Sequence, residues 1–139
     1  GHIAVHFAEQ DIVFTADSLM ALGCGRLFEG SAKQMWSSLS KLRALPDTTT
    51  VCSGHEYTLA NARFAVTVDP DNPALQDRIA RMEEARASGT PTVPSNLGEE
   101  KQTNPFLRPD DPAIREHLGM PSATDAEVFG EIRLRKDNF

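Results

Sequence analysis

The stretch Val51-Cys52-Ser53-Gly54-His55-Glu56-Tyr57 decides how the rest of the chain is read. A β-prone run, Thr49-Thr50-Val51-Cys52, stops at Ser53-Gly54 and then presents one histidine. A histidine just past a strand end sits on a rigid support and faces open space, where functional groups concentrate. Neutral imidazole is the commonest protein metal ligand, although a lone histidine at a strand end is structural or merely exposed more often than it is a ligand. A second stretch upstream, Ile12-Val13-Phe14-Thr15-Ala16-Asp17, reads as a buried strand ending in a carboxylate. One helix lies between the two. Parallel strands joined by a helical crossover bring their carboxyl ends to the same edge. Asp17 and His55 would then meet there, a pair suited to a divalent metal of the zinc or iron type. Asp17 taken alone is also an ordinary cap or turn residue.

Working outward, Ile3, Val5 and Phe7 alternate with His2, Ala4 and His6, the period-2 pattern of a half-buried strand. Ala8 to Asp11 form a polar break, so this strand and Ile12–Thr15 are expected to make an antiparallel hairpin. His2 and His6 share a face, as a metal pair or as strand-surface residues. Gly23-Cys24-Gly25 and Gly30 bracket a loop that lacks the Gly-Lys-Ser/Thr of a phosphate cradle. Ser31-Ala32-Lys33-Gln34 has capping-box form, Met35, Leu39 and Leu42 recur at helical spacing, and Pro46 enforces a stop.

After Tyr57 the character changes, with no convincing strand run from Leu59 onward. Helices are predicted from Leu59 to Val68, from Asn72-Pro73 to Gly89, around Leu97, from Asp111-Pro112 to Gly119, and from Thr124, whose Glu127 suggests a second capping box. Arg133 and Lys136 are spaced i, i+3 and share a face in the last turn, where cations complement the helix dipole. From spacing alone they are a solvated basic end.

The chain has 139 residues, 40% hydrophobic and 24% charged, which suits one domain or two small ones. A net charge of −6 argues against nucleic acid or an anionic membrane as partner. No apolar run approaches the ~20 residues of a membrane span. The two cysteines, Cys24 and Cys52, suggest no disulfide framework and read as small buried hydrophobes.

Several segments together resemble one family. They are Phe14-Thr15-Ala16-Asp17-Ser18-Leu19, Gly23 through Gly30, Gly54-His55-Glu56-Tyr57-Thr58, Asn61-Ala62-Arg63-Phe64-Ala65, Pro91 through Ser95, Thr103-Asn104-Pro105-Phe106-Leu107-Arg108, and the ending Lys136-Asp137-Asn138-Phe139. In order and register they are similar to the hydroxyacylglutathione hydrolases (glyoxalase II) of the metallo-β-lactamase superfamily. Each motif alone is weak; seven in register are specific, and they cover essentially the whole chain. The family's His-x-His-x-Asp-His cluster and a later His-Thr would precede Gly1, so the resemblance implies the C-terminal half of such an enzyme.

The implied fold is α/β (α+β): the second half of a metallo-β-lactamase αββα sandwich over residues 1–58, then an all-helical glutathione-binding domain over residues 59–139. The implied function is hydrolysis of S-D-lactoylglutathione to D-lactate and glutathione, which detoxifies methylglyoxal. Two divalent metals are implied, zinc by default, with iron or manganese compatible. By resemblance, Asp17 bridges the metals and His55 binds one of them, while the other five ligands lie in the preceding half. Arg26, Phe28, Tyr57, Arg133 and Lys136 are the implied substrate contacts. The family often has Lys at the position of Arg26, which keeps the charge. It often has Tyr at Phe28, where only ring packing remains. The family's counterpart of His2 follows a ligand and is not carried over. A cytoplasmic location and a monomeric complete enzyme are implied as well. The competing readings are a persulfide dioxygenase or other hydrolase relative of the same fold, and a non-catalytic remnant or binding module. The 139 residues by themselves are expected to be metal-poor, inactive and prone to associate through an uncovered apolar face.

Overall fold

The computed structural model describes residues 3–26 and 30–139; Gly1, His2, Leu27, Phe28 and Glu29 lie outside the described residues. The fold is mixed α/β. A four-stranded sheet runs in the order β1 (Val5–Phe7), β2 (Ile12–Ala16), β5 (Thr50–Ser53), β6 (Ser95–Asn96), and a two-stranded ribbon joins β3 (Leu19–Met20) to β4 (Gly23–Cys24). The helices are α1 (Ala32–Arg43), α2 (Thr58–Val68), α3 (Pro73–Ala87), α4 (Leu97–Thr103), α5 (Pro112–Leu118) and α6 (Asp125–Asp137).

The hairpin forms as its alternation predicts. β1 pairs antiparallel with β2, Val5 opposite Phe14 and Phe7 opposite Ile12. Asp11 closes it with φ 56° and then ties the sheet together. Its carbonyl accepts from Thr50 N at 2.9 Å, and its carboxylate accepts from the hydroxyls of Thr48 and Thr49. These hydroxyls, Thr48 first, hold the Asp11 carboxyl below its usual pKa. β2 and β5 are parallel, Val13 opposite Val51, with α1 in the crossover. That is the arrangement the two strand-end residues required.

α1 starts with a complete capping box: Gln34 N donates to Ser31 Oγ at 3.2 Å, and Ser31 N donates to the Gln34 side chain at 2.9 Å. α3 begins at Asn72 with Pro73 in its first turn, and α5 ends at Gly119 in the left-handed region, φ 72°. At α6 only half of the expected box forms. Thr124 Oγ1 caps Glu127 N, but the Glu127 carboxylate accepts from the Thr124 hydroxyl instead of the Thr124 amide.

Three further expectations change. β2 is not buried on both faces: Val13 and Thr15 point inward, while Phe14 is 47% exposed and packs edge-on against Phe7. The reason is that nothing among the described residues covers that face of the sheet. The glycine loop is partly strand, because Gly23 and Cys24 pair with Met20 and Leu19. A strand also follows residue 59: β6 adds antiparallel to β5. Two-residue strands carry no period, so their pairing is set by tertiary neighbours.

One hydrophobic cluster joins Val13, Leu39 and Val51 of the sheet layer to Phe64, Phe106 and Phe129 of the helical part. The three rings stand about 6 Å apart, Phe106 tilted 24° to Phe64 and 71° to Phe129. Each fully buried Leu or Phe contributes about 1.5–3 kcal/mol, so this shared core couples the β2–β5 edge firmly to the helices.

Candidate functional site

β2 does not end straight. Its register against β5 shifts between Phe14 and Ala16, and Ala16 takes a positive φ of 46°. A bulge at a strand end re-aims the following side chain, here Asp17. β5 ends at Ser53, and Gly54 N returns to Ala16 O at 2.9 Å, so the two chain ends travel together. A Cβ on Gly54 would lie 3.0 Å from Asp17 Oδ1. The glycine therefore leaves the carboxylate its place.

The result is that His55 Nδ1 lies 2.6 Å from Asp17 Oδ1. The pair is open to solvent, with side chains 50% and 40% exposed. Tyr57 stacks flat on the His55 ring, centroids 5.0 Å apart and planes 8° off parallel. Glu56, between them, anchors the loop: its carboxylate accepts from Thr92 N and Thr92 Oγ1, both at 2.7 Å. In the same strand end, the Ser53 hydroxyl is buried without a hydrogen-bond partner among the described residues.

A carboxylate and an imidazole converging at an open edge fit a divalent cation of the zinc, iron or manganese class. They supply two donors. Among the described residues no set of three His, Cys, Asp or Glu side chains converges on one point.

The expected substrate residues fall in two places. Tyr57 is with His55, half exposed. Arg26, exposed, follows β4, and its charge reaches Lys136 on α6. Lys136 Nζ sits over the rings of Phe64 and Phe139, 5.5 and 5.4 Å from their centroids. Burial first, then the Arg133 and Arg26 charges, lower its pKa. Phe28 lies outside the described residues, as does His2. His6 is exposed on the outer strand, away from Asp17 in the register.

Arg133 is not part of a solvated basic end; it is only 3% exposed. Its Nη1 donates to Cys24 O at 2.8 Å and to Gly25 O at 3.2 Å, and its Nη2 pairs with Asp137 at 2.9 Å. The guanidinium also lies over Phe106. Helical spacing correctly placed Arg133 and Lys136 on one face, but it could not show that this face packs on β4. The Cys24 thiol beneath is pushed up to about 12 by burial, despite the Arg133 charge, and is inert as a nucleophile at neutral pH.

Sequence reasoning missed a set of buried polar side chains that grip the β3–β4 ribbon: Asn61, Glu100 and Asn104. The only sequence signal was polar residues at positions where the helical pattern demanded burial.

The family described as Hydroxyacylglutathione hydrolase C-terminus matches residues 56–139. Hydroxyacylglutathione hydrolases from Ruegeria pomeroyi, Roseobacter denitrificans and Rhizobium meliloti are 67%, 66% and 61% identical to this chain. In each case the similarity covers all 139 residues here and 54% of the relative. The chain thus spans about half the length of the curated relatives it matches.

Proposed function

Because this chain belongs to the hydroxyacylglutathione hydrolase family, we propose that it serves the hydrolysis of S-D-lactoylglutathione to D-lactate and glutathione. The observation that carries the reading is the 2.6 Å approach of Asp17 and His55 at the parallel strand ends. A pair of divalent metals, zinc by default and iron or manganese by donor chemistry, would supply a nucleophile at neutral pH when bound.

Asp17 and His55 would hold that centre together with donors from the part of the relatives beyond this chain. The bulge at Ala16 and the missing Cβ at Gly54 orient the carboxylate, and the Glu56–Thr92 bonds hold the imidazole's loop. Arg26, Phe28, Tyr57, Arg133 and Lys136 are the proposed contacts for the glutathione portion. Its carboxylates match the cations; burial first, and then the nearby Arg133 and Arg26 charges, lower the pKa of Lys136. Arg133 contributes chiefly by holding the carbonyls that precede Arg26.

The finer architecture is proposed in the same way: residues 1–58 as the second half of an αββα sandwich, residues 59–139 as the glutathione-binding helical domain. The exposed Val5, Phe7 and Phe14 on one sheet face support a further layer there. A glutathione substrate suits a reducing, cytoplasmic setting, and both cysteines are free. Among the described residues no helix is long and apolar enough to cross a membrane.

The test is thiol release from S-D-lactoylglutathione by the full-length protein. Turnover is expected, and Asp17→Asn should reduce it by at least about 10- to 100-fold, since losing a ligand costs no less than losing its support. A wild-type protein that leaves the thioester intact would refute the assignment.

A further inference from the structure

The β3–β4 ribbon connects the two proposed functional ends, Asp17 before it and Arg26 after it, and its residues Leu19 to Gly25 are buried. Its turn contains Leu22 with φ 58°, a left-handed conformation that residues other than glycine rarely adopt. Something must hold it there. Leu22 N donates to both carboxylate oxygens of Glu100, at 3.3 and 3.2 Å. Glu100 is fully buried on α4, and its charge is matched by Arg78 of α3, also fully buried. Asn104 Nδ2 donates to Met20 O and Gly23 O, both at 3.1 Å, and to Glu100 at 3.2 Å. Asn61 Nδ2 donates to Ala21 O at 3.0 Å, and a Cβ on Gly23 would come within 2.6 Å of that amide.

A buried ion pair is a poor way to gain stability; a well-packed apolar pair of the same volume is commonly as good or better. What the Glu100 carboxylate adds is an acceptor at one point in space for one strained amide. From that amide, two short arms lead out. Thr15 Oγ1 donates to Leu19 O at 2.7 Å on the side of Asp17. Gly25 N donates to Ser18 O at 3.4 Å on the side of Arg26, where a Cβ on Gly25 would run into the Asp17 carbonyl oxygen. In a close-packed interior, a shift of the turn passes along both arms.

We propose that Glu100 is a positioning residue that sets Asp17 and Arg26 relative to each other by fixing the Leu22 turn. This rests on the metal and substrate roles proposed above for those two residues. The experiment uses the full-length protein with Glu100→Gln, and with the pair Arg78→Leu and Glu100→Leu together, which removes the acceptor while leaving no unpaired buried charge. Glu100→Gln supplies the comparison if the double variant does not fold. Amide exchange should accelerate in peptides covering Asp17–Arg26 while those covering β5 and α6 keep their protection. Zinc retained against a chelator should fall roughly tenfold, and KM for the glutathione thioester should rise more than kcat falls. Exchange that rises uniformly across the molecule, or a folded variant with unchanged zinc retention and KM, would overturn the proposal. If wild-type protein does not cleave the thioester, the proposed activity fails, while exchange and zinc retention still decide the role of Glu100.

Discussion

Arg133 shows how one side chain changes meaning once its neighbours are known. In the sequence it is a cation near a helix end. In the fold its guanidinium is buried and donates to the carbonyls of Cys24 and Gly25. Hydrogen bonds to a charged group contribute roughly 1.5–3 kcal/mol each, and truncation leaves the carbonyls of Cys24 and Gly25 desolvated. Arg133→Ala is therefore expected to lower the unfolding free energy by about 3 kcal/mol in a urea titration. Arg133→Lys should recover only part of this, because an ammonium lacks the planar fork that reaches both carbonyls and Asp137. An unchanged urea midpoint for Arg133→Ala would show that the buried bonds carry no net stability.

At the scale of elements, the glycines separate local strain from tertiary conflict. Gly119 ends α5 at φ 72°, and a Cβ there would meet nothing within 4 Å. Gly119→Ala should cost about 1 kcal/mol through the backbone alone. A Cβ on Gly25 would run into the Asp17 carbonyl oxygen, a backbone atom that cannot swing away. In the full-length protein, Gly25→Ala should displace the end of β2 and lower zinc retention, whereas Gly119→Ala should not. Equal zinc retention in both variants would mean that the β4–Asp17 contact does not set the carboxylate. Capping residues, prolines and the αL glycine placed most helix boundaries in advance because they act within one turn of chain. The β3–β4 ribbon and β6 were not legible, since their pairing partners, and in the ribbon's case Glu100 and Asn104, come from distant sequence.

For the whole molecule, the outer sheet face is decisive. Val5, Phe7 and Phe14 are each close to half exposed and adjacent in register. Apolar surface grouped in this way drives association. The 139-residue chain produced by itself is expected to self-associate in light scattering, and Phe7→Lys with Phe14→Glu should reduce that association. A monodisperse monomer without the substitutions would argue against the further layer proposed over this face. By itself the sequence determined the hairpin, the parallel β2–β5 pair, the helix ends and the meeting of Asp17 with His55. These follow from periodicity, caps and the handed geometry of one crossover, all readable over short spans. Tertiary structure alone decided that Phe14 faces out, that Arg133 faces in, and that a buried carboxylate on α4 holds the turn between Asp17 and Arg26. Burial of a charge is settled by what packs against it, and those partners lie up to 109 residues away along the chain.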